Sequence, residues 1–131
     1  MDLSTIKGWI EERGHAVSAE EPGMLRVAWS AGFAKKRPLP PMFVQVAENW
    51  VVLSVLPVDV SPAYSLVGTS RALLSFNRKM PVVKFALGVE DEVVLCAELP
   101  TESLDEGELV HVMDAMLECL ERYGDYAKRA G

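Results

Sequence analysis

The sequence predicts an α+β domain, an antiparallel sheet flanked by helices in the order α-β-β-β-α-β-β-α. Three observations predict it. Three segments place apolar residues at helical spacing, so each has one face to bury. Five shorter segments alternate apolar and polar, and four of these form two pairs separated by short polar turns, the pattern of hairpins. With 131 residues, the chain forms one domain over 1–131, large enough to bury roughly two thirds of its unfolded surface and to fold without disulfides or metal.

Leu3, Ile6 and Ile10 fall on one helical face, with Ser4 or Asp2 as the N-cap and Gly14 as the stop. The first strand expected covers residues 24–30, where Leu25, Val27 and Trp29 share a side. Met42–Ala47 and residues 50–56 follow as a hairpin turning at Glu48 and Asn49. Ser61 then Pro62 is an N-cap followed by proline at the first helical position, where the missing N–H costs nothing, so the central helix is expected over 62–76, with Pro81 in its exit region. A second hairpin, 82–87 with 92–99, sets Val83, Phe85 and Leu87 against Val93, Leu95 and Ala97. Asp105 and Glu108 make a capping box for the final helix, with Leu104 and Leu109 as its hydrophobic staple. Leu109, Met113, Met116, Leu120 and Tyr123 then form one stripe that could seat on a sheet or form a short coiled-coil seam, and fewer than three full heptads favour the sheet.

The central helix has too few charges for a helix facing water, since Arg71 is its only ionisable side chain apart from Tyr64. Leu66, Val67, Leu73 and Leu74 gather on one face, while Ser65, Gly68, Ala72 and Ser75 form a stripe of small residues opposite. Small residues permit close approach of another backbone, which points to a homodimer seated on that stripe; the alternative is a helix buried inside its own monomer.

Composition narrows function further. Hydrophobic residues make up 50% and charged residues 24%, and mean hydropathy is +0.14, which leaves apolar surface for a partner. The protein is acidic, at net charge −6, and unevenly so: residues 1–89 hold ten Lys and Arg against seven Asp and Glu, giving +3, and residues 90–131 hold three against twelve, giving −9. Nucleic acid is therefore disfavoured as a direct ligand. The exception is Lys35-Lys36-Arg37 beside Phe33, within a proline-rich loop over 31–41: either a solvated connection or a contact for phosphate or an acidic segment. Neither a secretory signal nor a run of 18 apolar residues occurs, so a cytoplasmic protein without membrane insertion is expected.

The run Leu73-Leu74-Ser75-Phe76-Asn77, then Met80-Pro81, Lys84-Phe85, and Ala97-Glu98-Leu99-Pro100 before a helix start at Leu104 to Leu109, resembles the YbjN-like domain family, whose fold is like that of class I type III secretion chaperones. The resemblance covers the element order of nearly the whole chain, with motif-level similarity over about 73–109. It implies a commonly dimeric α/β domain that binds other proteins and has no known active site. The loop over 31–41 departs from the family pattern.

Catalytic chemistry has little to stand on. His15 follows a helix stop and His111 falls on the polar side of the last helix, so both are expected in solvent, and neither has metal-ligand spacing. Glu90, Asp91 and Glu92 make a solvated turn, lacking the spaced ligands and central glycine of a calcium loop. Cys96 and Cys119 read first as buried hydrophobes, with a disulfide or reactive thiol as the alternative. The glycines form no phosphate-binding loop and no nucleophile elbow occurs. The expectation is no enzyme, no cofactor and no metal. Two functions remain: a dimeric chaperone or adaptor for a client protein, and a regulatory anion or nucleic-acid-associated binder using Phe33, Lys35, Lys36 and Arg37.

Overall fold

The structure, a computed structural model, describes residues 1–32, 38–58 and 66–130, with the backbone alone for 66, 67 and 124–130. Its elements are α1 (Leu3–Glu12), β1 (Ala16–Glu21), β2 (Met24–Ala28), β3 (Met42–Ala47), β4 (Trp50–Val55), α2 (Leu66–Lys79), β5 (Lys84–Leu87), β6 (Val93–Pro100) and α3 (Glu106–Ala130). The α+β class and the expected succession hold, with one strand added: β1 sits between α1 and the first expected strand. Its sequence, AVSAEE, is almost wholly exposed and carries no apolar alternation. The signal that marks it is the Pro22-Gly23 turn, where Gly23 takes φ +83°.

All pairings are antiparallel, in the order β1-β2-β3-β4-β6-β5. Register places one apolar row on a single face: Leu25 opposes Val44, Val44 opposes Leu53 and Leu53 opposes Ala97, all buried. A parallel row runs Val27, Met42, Val55, Leu95, Phe85. Because side chains alternate between faces, a slip of one residue in any strand would turn its part of these rows to solvent, which pins the register.

The helices close this face. Ile6 and Ile10 of α1 are fully buried, as are Leu109, Met113 and Met116 of α3, and Leu120 and Tyr123 extend that column. The expected stripe of the last helix thus seats on the sheet. Caps fix the starts: the Thr5 N–H donates to Asp2 Oδ1 at 2.8 Å, and the Glu108 N–H to Asp105 Oδ1 at 2.8 Å, each satisfying a donor that the first turn leaves open. Gly14, at φ +104°, ends the turn after α1 in a conformation that side chains resist.

α2 ends one turn later than expected. It runs past Phe76 to Lys79, and the Asn77 carbonyl in its last turn and the Met80 carbonyl just beyond it accept from Lys84 Nζ. Its expected start at Ser61 and Pro62 lies outside the described residues. The Val83 N–H donates to Pro81 O at 2.7 Å, a three-residue turn that holds Val82 at φ +66° and shortens β5 to begin at Lys84. For a β-branched residue that conformation costs about 1–3 kcal/mol.

His15 corrects the sequence reading: it is buried, at 3% exposure. Its Nδ1 accepts from the Ser30 N–H at 3.0 Å, and its ring meets Trp29 edge-on at 5.2 Å. Helix-stop chemistry located the residue in sequence, but the β1–β2 hairpin folds over it. Burial pulls its pKa below the ordinary 6.5, Arg13 acts in the same direction and Asp114 opposes. An unfolded chain takes up a proton near 6.5 that the native chain refuses. Stability is therefore complete above pH 6.5 and is lost as pH falls from there toward the native pKa. Urea unfolding at about pH 5.5 should show a lower midpoint than at about pH 7.5, and His15→Gln should narrow that gap; an unchanged gap in the variant would assign the acid sensitivity elsewhere.

Candidate functional site

α2 is the element around which the candidate surfaces lie, and one side-chain cluster positions it. Phe76 of α2, Phe85 of β5 and Tyr123 of α3 form a triangle of rings, with centroids 6.2 Å (Phe76–Phe85), 5.8 Å (Phe76–Tyr123) and 5.2 Å (Phe85–Tyr123) apart. Beside it the Asn77 side-chain amide pairs with the backbone of the edge strand: Nδ2 donates to Phe85 O at 3.0 Å and Oδ1 accepts from the Phe85 N–H at 2.7 Å. Asparagine imitates one residue of a neighbouring strand and closes the open edge of β5 there. Phe76-Asn77 and Lys84-Phe85, quoted above for the family resemblance, are thus brought together as the clasp between α2 and β5.

This seating decides which face of α2 looks outward. Ala72 is buried at 7% exposure, while Leu74 is 67% exposed. The expected apolar face is therefore rotated: Leu73 packs against the core with Phe76 and Met80, and Leu74 points away. Of the small stripe, Gly68 is half-buried, Ala72 is covered by its own chain, Ser75 is exposed and Ser65 lies outside the described residues. The stripe straddles the boundary between core and solvent.

Phe33, Lys35, Lys36 and Arg37 also lie outside the described residues. Among their described neighbours, the Ser30 N–H reaches His15 Nδ1, and Trp29 Nε1 donates to Pro40 O at 2.9 Å. His111 is exposed. Glu92 folds its carboxylate back over the turn, accepting the Glu90 N–H at 2.9 Å, and its atoms fill the space above Gly88 that a Cβ would need. No group of three metal-ligating side chains occurs among the described residues, and no described helix is long and apolar enough to cross a membrane.

Both cysteines are free thiols. Burial pushes Cys96 up, and Glu98 adds to the shift; burial pushes Cys119 up to about 12, which keeps it protonated at neutral pH and poor as a nucleophile.

Two features were not legible in the sequence. One is a cleft of about 310 Å³ between the end of α2 and the second half of α3, with Phe76, Met80, Val83 and Cys119 inside and Lys79, Glu118 and Arg122 at its mouth. Its walls come from segments some forty residues apart, so no local pattern announces it. The other is the second face of the sheet. Phe43, Val52 and Cys96 are half-buried there and Trp50 is 45% exposed, while all three helices bury their side chains with the first face.

The architecture is that of a type III secretion chaperone-like domain. Similar solved structures include a chain of the heterodimeric ExoU-SpcU complex of the Pseudomonas aeruginosa type III secretion system, at 22% identity and TM-score 0.64, covering 89% of this chain and 93% of that one. YbjN from E. coli is similar at 15% identity and TM-score 0.68, covering 92% and 86%. The Yersinia pestis type III secretion chaperone SycH in complex with a stable fragment of YscM2 gives 16% identity and TM-score 0.56, covering 98% of both chains. The chain belongs to the family described as "YbjN: Putative bacterial sensory transduction regulator", whose model matches residues 45–129. No curated protein is significantly similar to it.

Asn77→Ala should lower the unfolding free energy by about 1–2 kcal/mol, because it strips both hydrogen bonds from the Phe85 peptide at a half-buried edge. Asn77→Asp keeps the acceptor and sets a charge against the Phe85 carbonyl, so it should not restore stability. Urea denaturation of the two variants checks this, and a neutral Asn77→Ala would remove the clasp from the account.

Proposed function

We propose that this chain is a non-catalytic, cytoplasmic protein-binding module, a homodimeric chaperone or regulatory adaptor for a client protein. The observation that carries the reading is the second face of the sheet, where Phe43, Val52 and Trp50 offer apolar surface in a chain whose first face already has a full core. Apolar surface rimmed by polar side chains is the usual mark of a protein-docking site, and here Arg26, Gln45 and Glu98 lie on the same face by register. The fold supports it: chains of similar architecture occur in the heterodimeric ExoU-SpcU complex and in the complex of the chaperone SycH with a YscM2 fragment.

The dimer contact proposed is the outward side of α2, through Ser75 and the half-buried Gly68, with Ala72 lending only its backbone since its side chain faces its own core. Close backbone approach there leaves no room for a long charged side chain.

Capture from native cell extract with the wild-type protein and a Phe43→Asp, Val52→Asp variant tests the client reading. A specific protein should be retained by the first and lost by the second at unchanged circular dichroism; equal retention by both would overturn the choice of face. Assembly is tested separately. Ser75→Arg, at an exposed position, should halve the mass seen by light scattering while the helix signal persists, and Gly68→Arg should do so with some loss of stability. A wild-type protein that is monomeric at micromolar concentration would sink the homodimer.

A further inference from the structure

The cleft between α2 and α3 has the build of a ligand site that client binding does not use. Its floor is apolar, with Val83 and Cys119 buried beneath it at 1% and 3% exposure, and the walls that remain open are the half-buried Phe76, Met80 and Ala115 with the exposed Pro81. A volume of about 310 Å³ lies at the lower end of ligand pockets, roughly 300–1,000 Å³, enough for one unbranched chain and too small for a dinucleotide.

The mouth is charged, and with the opposite sign to the molecule as a whole. Lys79 and Arg122 face one carboxylate, Glu118, which leaves one positive charge in excess on a chain of net charge −6. Neither cation is fully used. Arg122 meets Glu118 through a single contact, Nη2 to Oε1 at 2.6 Å, and a guanidinium has five donors in a fork that matches a second carboxylate. Lys79 lies in the last turn of α2, where a cation would ordinarily be explained by the helix terminus. Here the terminal carbonyls of Asn77 and Met80 are already held by Lys84, and Lys79 has no ion-pair partner among the described residues.

The geometry points to a site for a free fatty acid of medium chain length, its tail along Phe76, Met80, Pro81 and Ala115, above the buried Val83 and Cys119, and its carboxylate held by Lys79 and Arg122. A cationic amphiphile would meet the excess positive charge, and an uncharged one would forgo the carboxylate's charge-assisted hydrogen bonds. The walls are set before any ligand arrives, because the Phe76–Phe85–Tyr123 triangle and the Asn77 clasp fix α2 against α3, so little ordering cost accompanies binding.

The experiment is titration of the 131-residue chain with decanoate, 1-decanol and decyltrimethylammonium, each below its self-association concentration, followed by calorimetry and by amide chemical shifts. Decanoate should bind saturably with one molecule per chain, shifting amides in 76–83 and 115–122, and at least about tenfold more tightly than the other two. Lys79→Ala and Arg122→Ala, both at exposed positions that leave the core untouched, should each bring decanoate down toward the affinity of decanol without changing decanol itself. Ala115→Phe, which fills the cleft, should abolish all three. Equal binding of the three amphiphiles, shifts located outside the cleft, or no saturable binding of decanoate to the wild-type protein would each overturn the assignment.

Discussion

The docking of α2 onto β5 is the interaction on which the rest of the structure depends. Among its described side chains α2 offers the core little else: Ala72 is small and Leu73 is only partly buried, as is Met80 just beyond the helix. Three aromatic rings from α2, β5 and α3 meet at 5.2–6.2 Å, and such pairs add about 0.5–1.5 kcal/mol each beyond the area they bury. The Asn77 amide then fixes helix to strand along the chain direction, which a hydrophobic contact alone does not do. From this follow the closed edge of β5, the tight turn at Val82, the cleft toward α3 and the outward aim of Leu74 and Ser75.

The two ends of the sheet are protected by different means. At one end Asn77 occupies the hydrogen-bonding groups of Phe85. At the other, β1 is exposed and polar, carries Glu20 and Glu21, and breaks register between Ala19 and Glu21, devices that discourage a further strand from adding. Apolar side chains stay partly open on the second face of the sheet, at Phe43, Trp50 and Val52, and others are exposed around the end of α2 and the β5–β6 turn, at Leu74, Val82, Leu87 and Val89. A protein with guarded edges and an open face can present hydrophobic side chains without inviting edge-to-edge association, which suits a module that must bind and remain dispersed.

Charge follows the same division. Six of the twelve acidic residues of 90–131 fall on α3, where Arg122 pairs with Glu118 at i, i+4 and Arg13 reaches across from the end of α1 to Asp114 at 2.8 Å. Both pairs are exposed and contribute little to stability. Cations instead collect where α2 ends, at Arg78, Lys79 and Lys84, and only Lys84 has a structural task there. That local reversal of sign separates the mouth of the cleft from the rest of an acidic surface.

By itself the sequence determined what local chemistry dictates. The periodicity of Ile6 and Ile10, the alternation in Met42–Ala47 and in β6, the cap at Asp105 and the buried column from Leu109 to Tyr123 were legible because each is set by residues within a turn or a strand of one another. The quoted run from Leu73 to Leu109 likewise pointed to the family, and within it Phe76-Asn77 and Lys84-Phe85 build the clasp between α2 and β5. β1 was hidden because an edge strand with both faces near solvent needs no apolar alternation. His15 read as solvated for a related reason: its cover, Trp29 and Ser30, is brought to it only when the β1–β2 hairpin pairs. The rotation of α2 that buries Ala72 and exposes Leu74 was decided only when Phe76 met Phe85 and Tyr123. The cleft, made by side chains from α2, the turn before β5, and α3, exists only once those three segments pack, because its shape is a property of their separation and not of any one stretch of chain.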